Sequence, residues 1–184
     1  MIINNSDRLS FQLMGKNDAQ DLYDLDQDPE VMKYINGGKM TSKEDVENVF
    51  LPRIAAYTNK DKGWGIWSVT IYQSQEFIGW VLVRPMEFFS DNPQFDNIEL
   101  GWRFMQKSWG KGYATEAAKH IMQALIDNKS ATEFSAIAIT ENYASINIMK
   151  KLGMQFQKNY LNKDPLGDMQ VDYYSLKIEG NANT

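Results

Sequence analysis

The sequence predicts a mixed α/β fold, and three observations support this fold class. Segments in which apolar residues alternate with polar ones, typical of strands, are interspersed with segments in which apolar residues recur at helical spacing. No repeat or Gly/Ser linker divides the 184 residues, so we expect one domain over 1–184 with a frayed tail at its end. Hydrophobic residues make up 43% of the chain, which is typical of a globular domain with its own core.

The N-terminal part of the chain predicts one strand followed by helices. Apolar and polar residues alternate across 9–13, which indicates a strand. Short helical stretches are expected to begin at Asn17 and at Asp28, where a proline follows an aspartate cap. The segment 41–44 resembles a capping box for a longer helix, and Pro52 is expected to kink or split that helix.

The middle of the chain predicts three strands. Residues 64–72 and 77–84 are rich in aromatic and β-branched residues and are separated by a short polar turn, so we expect a hairpin. Residues 85–97 are polar and irregular, which favours a surface loop. Alternation then resumes over 98–105 as a third strand.

The C-terminal part predicts two further helices and three strands. A helix is expected over 111–127, because alanines and long apolar residues form one stripe along it. A strand over 134–140 leads into a helix over 142–152, which a glycine terminates. Residues 154–161 and 171–178 are expected to form two final antiparallel strands.

Composition excludes several function classes. The formal net charge of −5 disfavours general nucleic-acid binding and anionic membrane surfaces. The absence of cysteine excludes thiolate chemistry, and the single histidine, His120, excludes a two-histidine zinc site, so no metal is expected. The N-terminus lacks signal-peptide features, and the longest apolar stretch is far below the ~20 residues of a spanning helix. We therefore expect a cytoplasmic protein without nucleic-acid or membrane partners.

The most informative segment is 107–116, which joins a strand to a helix. Gly110 and Gly112 precede the helix, and such a turn directs backbone N–H groups into one concavity at the positive end of the helix dipole. Lys107 and Lys111 add positive charge, so a pyrophosphate is a natural ligand. The segment lacks the Gly-Lys-Ser/Thr of a P-loop and the third glycine of a dinucleotide fold, and a plain tight turn remains an alternative.

A second segment, 142–154, begins a helix directly after a strand. Asn142 can cap that helix, its two terminal lysines favour the C-terminal end, and Gly153 ends it. These local roles explain each residue singly. They do not explain why both segments occur in this order and at this distance.

Together the two segments resemble the GNAT N-acetyltransferases, and specifically the branch of ribosomal-protein N-terminal acetyltransferases (the RimJ/RimL type). The family's acetyl-CoA loop, Gln/Arg-x-x-Gly-x-Gly/Ala, is matched at 107–112 with lysine in the first place, and the branch's longer pattern continues through Ala117. The later Asn-x-x-Ser and Lys-Leu-Gly-Phe/Met patterns are matched at 142–145 and 151–154. The N-terminal segments 7–11 and 28–35 resemble the branch's opening strand and early helix.

This resemblance implies a GNAT fold with acetyl-CoA as cosubstrate. The fold is a twisted, mostly antiparallel sheet of about six or seven strands, splayed at a central parallel pair and flanked by about four or five helices. Acetyl-CoA would lie where the parallel strands separate. The implied cofactor-binding residues are Phe104, Met105, Lys107, Trp109, Gly110, Lys111, Gly112, Tyr113, Ala114, Thr115, Asn142 and Ser145, with Lys150 as an alternative phosphate contact.

The resemblance also implies direct attack of a neutral amine on the thioester. Glu99, on the strand that leads into the cofactor loop, is the first candidate for the base, and Asp172 is the second. Many GNAT enzymes protonate the leaving thiolate with a tyrosine, whose place is taken here by Met149. The ribosomal-protein branch uses a serine at the Ser145 place, so Ser145 is the candidate thiolate stabiliser, with local helix capping as its alternative role.

The implied function is therefore acetyl transfer from acetyl-CoA to a primary amine, either a protein N-terminus or a small molecule. The acidic net charge favours a cationic acceptor. A GNAT-fold sensor or partner-binding module that binds acyl-CoA without turnover is the alternative from another class, and a nucleotide-binding protein is a third. Either a monomer or a homodimer is compatible with the sequence.

Overall fold

The computed structural model describes residues 1–178, and the predicted frayed tail lies outside the described residues. The strands are β1 (Leu9–Leu13), β2 (Gly65–Ile71), β3 (Phe77–Met86), β4 (Gln94–Phe104), β5 (Glu133–Ala138), β6 (Gln155–Asn162) and β7 (Met169–Lys177). They form one sheet in the order β1-β2-β3-β4-β5-β7-β6. Every neighbouring pair is antiparallel except β4 and β5, which are parallel. The predicted mixed α/β fold with a central parallel pair is confirmed.

Helices flank this sheet. They are α1 (Ala19–Leu25), α2 (Pro29–Asn36), α3 (Lys43–Asp45), α4 (Leu51–Tyr57), α5 (Tyr113–Asp127) and α6 (Tyr143–Lys151). A π-helical segment, Val46–Phe50, joins α3 to α4 without a break, so residues 1–178 contain five continuous helices. This number agrees with the predicted range.

Pro52 explains the irregular helix between α3 and α4. Proline has no N–H to donate to the preceding turn, so one α-helical hydrogen bond is missing there. The N–H of Leu51 instead donates to the carbonyl of Val46, five residues earlier, which is the π-helical spacing. The predicted interruption is confirmed. The predicted cap is displaced by one residue, because Ser42 caps the helix through the N–H of Asp45 while Thr41 is buried.

The prediction of a loop over 85–97 is wrong at both ends. Pro85 lies in β3 next to a β-bulge, one of the few sheet positions where a missing N–H is tolerated. β4 begins at Gln94, and its exposed first residues are polar, which is why their sequence resembles a loop. The connection between the two strands is therefore 87–93.

The sheet opens between its two parallel strands. β4 and β5 are paired only where Asn97–Glu99 face Glu133–Ser135, although β4 continues to Phe104 and β5 to Ala138. The other edge of β4 remains tightly paired with β3. At Gly79 a Cβ would lie 2.4 Å from the carbonyl oxygen of Arg103, so this close approach requires glycine. β4 therefore stays with β3 while β5 leaves it, and a cleft forms between them.

Two hydrophobic clusters hold these elements. The larger lies between the sheet and the helices α5 and α6, with Phe134, Ile121, Leu125 and Met149 fully buried in it. The smaller lies under the N-terminal helices and is formed by Met14, Leu22, Val46, Ile54, Tyr57 and Ile66. The helices α1 to α4 thus cover one face of the sheet beside the cleft, and α5 and α6 cover the other.

Candidate active site

A cavity of about 410 Å³ occupies the opening between β4 and β5. Its walls come from α2, the end of β4, the turn before α5, and the first turns of α5 and α6. Among its lining residues are eight of the predicted cofactor-binding residues: Phe104, Trp109, Gly110, Gly112, Ala114, Thr115, Asn142 and Ser145. Met105, Lys107, Lys111 and Tyr113 do not line it.

The turn before α5 presents unpaired backbone N–H groups. Gly110 and Gly112 adopt left-handed conformations with φ of 73° and 78°, which only glycine adopts without strain. Gly112 is the N-cap of α5 and supplies no side-chain cap, so the N–H groups of the first helical turn have no partner within the helix. The dipole of this 15-residue helix favours an anion at that place. The turn therefore fits a diphosphate.

Trp109 contributes differently from the prediction. Its backbone N–H donates to the carbonyl of Gln106 at 3.0 Å, so this group is not free for a phosphate. Its indole Nε1 donates to the carbonyl of Phe104 at 2.8 Å. The tryptophan thus fixes the turn against the end of β4 and forms part of the cavity wall.

The backbone of β4 faces the cleft at every second residue. The carbonyl of Asp96 accepts from Thr132 on the β5 side, and the N–H of Met105 donates to Ile78 on the β3 side. Because these directions alternate along a strand, Trp102 and Phe104 turn their backbone groups toward the cleft. The Met105 carbonyl also accepts from the N–H and Oγ of Ser108. The backbone groups of Met105 are therefore not available to a cofactor in the cleft, whereas those of Trp102 are.

The lysines are arranged differently from the prediction. Lys107 forms an exposed ion pair with Glu76 in the β2–β3 turn, and its hydrogen bond is the main cause of a lowered pKa of Glu76. Lys111 is exposed outside the cavity, as is Lys150. Lys151, at the end of α6, is the lysine that lines the cavity.

Arg8 holds the turn from the N-terminal side. Its Nε donates to Glu116 Oε2 at 2.7 Å, and its Nη1 donates to the carbonyl of Lys111 at 3.0 Å. Ser6 Oγ donates to Glu116 Oε1 at 2.7 Å. Burial acts to raise the pKa of Glu116, but the hydrogen bonds from Ser6 and Arg8 outweigh it, so this pKa lies below its usual value. Arg8 lies in the segment 7–11 that resembles the branch's opening strand, and the sequence predicted no role for its side chain.

A second cavity of about 540 Å³ adjoins the first on the side of α1 to α4. Six residues line both cavities, and the two cavities meet at them: Tyr34, Ile35, Trp102, Arg103, Asn142 and Ser145. Aromatic residues form much of the second wall, including Tyr34, Phe50, Tyr57 and Trp80. Trp64, in contrast, is buried elsewhere and stacks on Phe95.

Ser145 lies at the junction of the cavities. Its Oγ accepts a hydrogen bond from Trp102 Nε1 at 3.3 Å, and its backbone N–H donates to the Asn142 side chain at 3.2 Å. The hydroxyl proton of Ser145 is thus available for another acceptor. Met149 lies one helical turn after Ser145, at the place of the tyrosine that protonates the thiolate in many GNAT enzymes, and its side chain is buried.

Glu99 is tied into an ion pair. It is 5% exposed and accepts from Arg84 Nε at 2.7 Å. Arg84 lines the larger cavity, while Glu99 lines neither cavity. Glu99 as catalytic base therefore stays a prediction, and a proton from the acceptor would reach it only through an intermediary such as water.

Asp172, the second candidate base, and the side chains of Tyr173 and His120 lie away from the junction. Asp172 is buried and accepts hydrogen bonds from Thr140 and Asn159. The hydroxyl of Tyr173 forms hydrogen bonds with the side chains of Asn97 and Ser135. The ring of His120 stacks on Phe11 and bonds to the carbonyl of Asn4. None of the three side chains Asp172, Tyr173 and His120 lines either described cavity.

One ion pair at the junction was missed by sequence reasoning. Arg103 Nη1 lies 2.6 Å from Asp26 Oδ1, and Asp26 Oδ2 accepts from Thr41 at 2.7 Å. Both charged residues line the larger cavity, and Asp26 comes from the connection between α1 and α2. Their 77-residue separation left no local pattern by which sequence alone could pair them.

A sheet that opens at its central parallel pair, with an anion-binding turn beside the opening, is the architecture expected of an acetyl-CoA-dependent acyltransferase. Residues 8–155 match the family model of the acetyltransferase (GNAT) domain. The chain belongs to the GNAT family and is an N-acetyltransferase, with acetyl-CoA as its cosubstrate.

Similar proteins agree with this assignment. The chain is 30% identical over 163 residues to the uncharacterized N-acetyltransferase YnaD of Bacillus subtilis, covering 88% of this chain and 87% of that protein. It is 28% identical over 158 residues to the FsC-acetyl coenzyme A-N(2)-transacetylase of Aspergillus fumigatus, covering 85% of this chain and 66% of that protein. A GNAT-family acetyltransferase structure from Bacillus anthracis has the same fold, with a TM-score of 0.76, 23% identity, and coverage of 96% and 98% of the two chains.

Two kinds of feature are absent from residues 1–178. No group of three or more His, Asp or Glu side chains in that range is arranged to hold a metal ion. No helix in the same range combines the length and apolar character needed to cross a membrane.

Proposed function

We propose that this protein transfers the acetyl group of acetyl-CoA to a primary amine, by direct attack of the amine within a ternary complex. The observation that supports the proposal is the meeting of two cavities at Ser145. One cavity is lined by the glycine turn before α5, which fits a diphosphate, and the other is an aromatic-walled pocket of a size for a small molecule or a peptide end. In the reaction the amine nitrogen bonds to the acetyl carbon, the carbon–sulfur bond breaks, and the amine loses a proton.

The proposed cofactor contacts are those that the geometry favours. Backbone N–H groups of Gly110 to Thr115 would bind the diphosphate, and backbone groups of Trp102 and Phe104 would bind the pantetheine arm as an added strand would. The side-chain NH₂ of Asn142 is free to donate, because its oxygen caps α6. Lys151 would supply positive charge.

Ser145 is the proposed stabiliser of the leaving thiolate. Because Trp102 donates to its Oγ, the Ser145 hydroxyl is oriented to donate its own proton elsewhere. Such a donor, aimed at a developing negative charge, lowers the barrier without transferring the proton fully. The thiolate then takes a proton from solvent.

Removal of the amine's proton is the second requirement. A primary amine with a pKa near 10 is only about 0.1% neutral at pH 7, so the site must accept a proton before or during attack. We keep Glu99 as the proposed base; because it lies three residues before Trp102 on β4, about 10 Å along the strand, the proton would reach it through a chain of water molecules. In that role it must act while it accepts the hydrogen bond of Arg84 Nε.

The test is acceptor-dependent release of CoA thiol from acetyl-CoA, followed with a thiol reagent across a panel of primary amines. The N-acetyl product is confirmed by mass spectrometry. We expect thiol release to rise with amine concentration and to fall in Ser145→Ala. Saturable CoA binding without amine-dependent release would instead support the non-catalytic acyl-CoA-binding module.

Several predictions remain open to experiment. They are the single-domain organisation over 1–184, the ribosomal-protein branch, the cytoplasmic location, the absence of nucleic-acid and membrane partners, and the choice between monomer and homodimer. Light scattering addresses the oligomeric state directly.

A further inference from the structure

Arg84 has free hydrogen-bonding capacity directed at the larger cavity. It lies on β3 and lines that cavity. Its Nε donates to Glu99, while its two Nη groups have no hydrogen-bond partner within residues 1–178. These Nη groups are not among the fully sealed unpaired atoms. A guanidinium has five N–H donors in a planar fork, so four of them remain for a ligand.

Glu99 fixes the Arg84 side chain from the side away from the cavity. The two residues are directly opposite in the β3–β4 ladder, and Glu99 itself does not reach the cavity surface. Burial acts to lower the pKa of Arg84, but the charge and hydrogen bond of Glu99 outweigh it, so the pKa is raised. Arg84 therefore keeps its charge and a fixed orientation at the cavity wall.

The neighbouring polar group is also a hydrogen-bond donor. Tyr57 is 4% exposed and lines the cavity, and its hydroxyl has no partner in the part of the chain that the structure describes and is not among the fully sealed unpaired atoms. The guanidinium of Arg84 lies 5.8 Å from its ring centroid. Burial raises the pKa of Tyr57, so its phenol stays protonated. This end of the cavity thus offers O–H and N–H donors to a ligand oxygen.

The charges that line the cavity are balanced. Arg53, Arg84 and Arg103 face three carboxylates, and two of these carboxylates are already paired, Asp164 with Arg53 and Asp26 with Arg103. The net charge of −5 is therefore not concentrated in this cavity. A polycationic acceptor would need surplus carboxylates, and the described lining does not supply them.

Given the proposed function, we infer that the acceptor is a primary amine that also carries a carboxylate, which binds the Nη groups of Arg84 and the hydroxyl of Tyr57. Arg84 lies directly opposite Glu99 in the β3–β4 ladder, and Glu99 is three residues before Trp102 on β4. At roughly 3.4 Å per residue, the carboxylate site lies about 10 Å along the strand from the junction where acetyl transfer takes place. Acceptors whose amine and carboxylate are separated by about this distance can place both groups at once, so the longer acids of the panel below are the ones expected to show the preference.

The experiment compares matched amines in the thiol-release assay. Each acid is paired with its carboxamide: glycine, 5-aminopentanoate, glycylphenylalanine and triglycine, with spermidine and kanamycin as polycationic probes. We expect at least one acid to have a kcat/KM about tenfold or more above that of its amide, as for loss of one charged hydrogen bond. Turnover of the amides or polycations at equal or higher efficiency would overturn this inference and leave amine acetylation intact. No turnover of any amine would contradict both.

Variants at Arg84 test the residue assignment. Arg84→Gln should remove the preference for acids, so that acid and amide have equal kcat/KM. Because that change leaves Glu99 buried without its partner, the double variant Arg84→Gln/Glu99→Gln provides a neutral, similarly shaped pair. The acid-to-amide ratio is the readout, since an effect on the base lowers both members alike. Lys119→Gln, at an exposed position on α5, is the charge-matched control and should keep the preference. A preference that persists in both Arg84 variants would overturn the assignment.

Discussion

Substitution of Gly112 tests the diphosphate-binding turn most selectively, because two replacements separate backbone strain from charge. Gly112 has a φ of 78°, and a Cβ built there meets only Arg8 Nη2 at 3.6 Å within a 4 Å radius. Both Gly112→Ala and Gly112→Asp fit the space and share a backbone cost of about 1–2 kcal/mol. Gly112→Asp alone adds a negative charge beside the unpaired N–H groups of α5.

The charge effect can be worked out from this geometry. For a carboxylate roughly 6 Å from a diphosphate with two charges, Coulomb's law gives about 1.4 kcal/mol at the dielectric constant of water and about 5.5 kcal/mol at an effective value of 20. Arg8 lies close enough to compensate part of this repulsion, so the smaller figure is the safer expectation. It corresponds to about a tenfold loss of CoA affinity relative to the alanine variant.

The assay is calorimetric titration of CoA into wild type, Gly112→Ala and Gly112→Asp, with thermal melting as the control for folding. We expect the alanine and aspartate variants to melt at similar temperatures, with the aspartate variant binding CoA at least tenfold more weakly. Equal CoA affinity in the two variants would refute the placement of the diphosphate at this turn.

Three further predictions follow from the described contacts. Ser145→Ala should lower kcat about 10- to 1000-fold, by analogy with loss of an oxyanion donor, and change CoA affinity by only a few-fold. Steady-state kinetics and calorimetry measure the two effects, and an unchanged kcat would exclude the thiolate role. Glu116 has a pKa below its usual value of 4.5, so its contribution to stability is present above that pH and is lost as the pH falls through the folded pKa. Urea unfolding should therefore show Glu116→Gln to be less stable than wild type at pH 7, with the difference shrinking below pH 4.5; a constant difference would contradict the proposed pairing. Gly79→Ala would place a Cβ 2.4 Å from the Arg103 carbonyl oxygen and 2.8 Å from Phe104 Cα. We therefore expect urea unfolding to show a loss of about 3 kcal/mol or more in the free energy of unfolding. Urea curves that match wild type would show that β3 can move away from β4.

The sequence predicted those parts of the site that are encoded by short local patterns. The two glycines before α5 require backbone conformations that few other residues adopt, and the helix start after them follows from spacing alone. Asn142 was likewise predicted to cap α6, and it accepts from the N–H of Ser145. Each of these features depends on residues within a few positions of one another.

Features that depend on contacts between distant segments could not be predicted. Arg84 and Glu99 lie on adjacent strands, but their pairing requires the β3–β4 register, which the bulge after Pro85 shifts. The backbone direction of Met105 is likewise set by the pairing of β4 with β3: its N–H donates to Ile78, which the family resemblance that implied a cofactor contact for Met105 could not show. The polar start of β4 resembled a loop because it lies at the exposed end of the sheet.

The central claim is that the opening between β4 and β5 binds acetyl-CoA through a diphosphate site at the start of α5. Calorimetric titration of the purified protein with acetyl-CoA, and with CoA, ATP and NAD as comparisons, tests it most directly. We predict saturable one-to-one binding of acetyl-CoA and CoA, with ATP and NAD binding far more weakly. Binding of ATP or NAD with equal or higher affinity, or no binding of CoA, would contradict the claim.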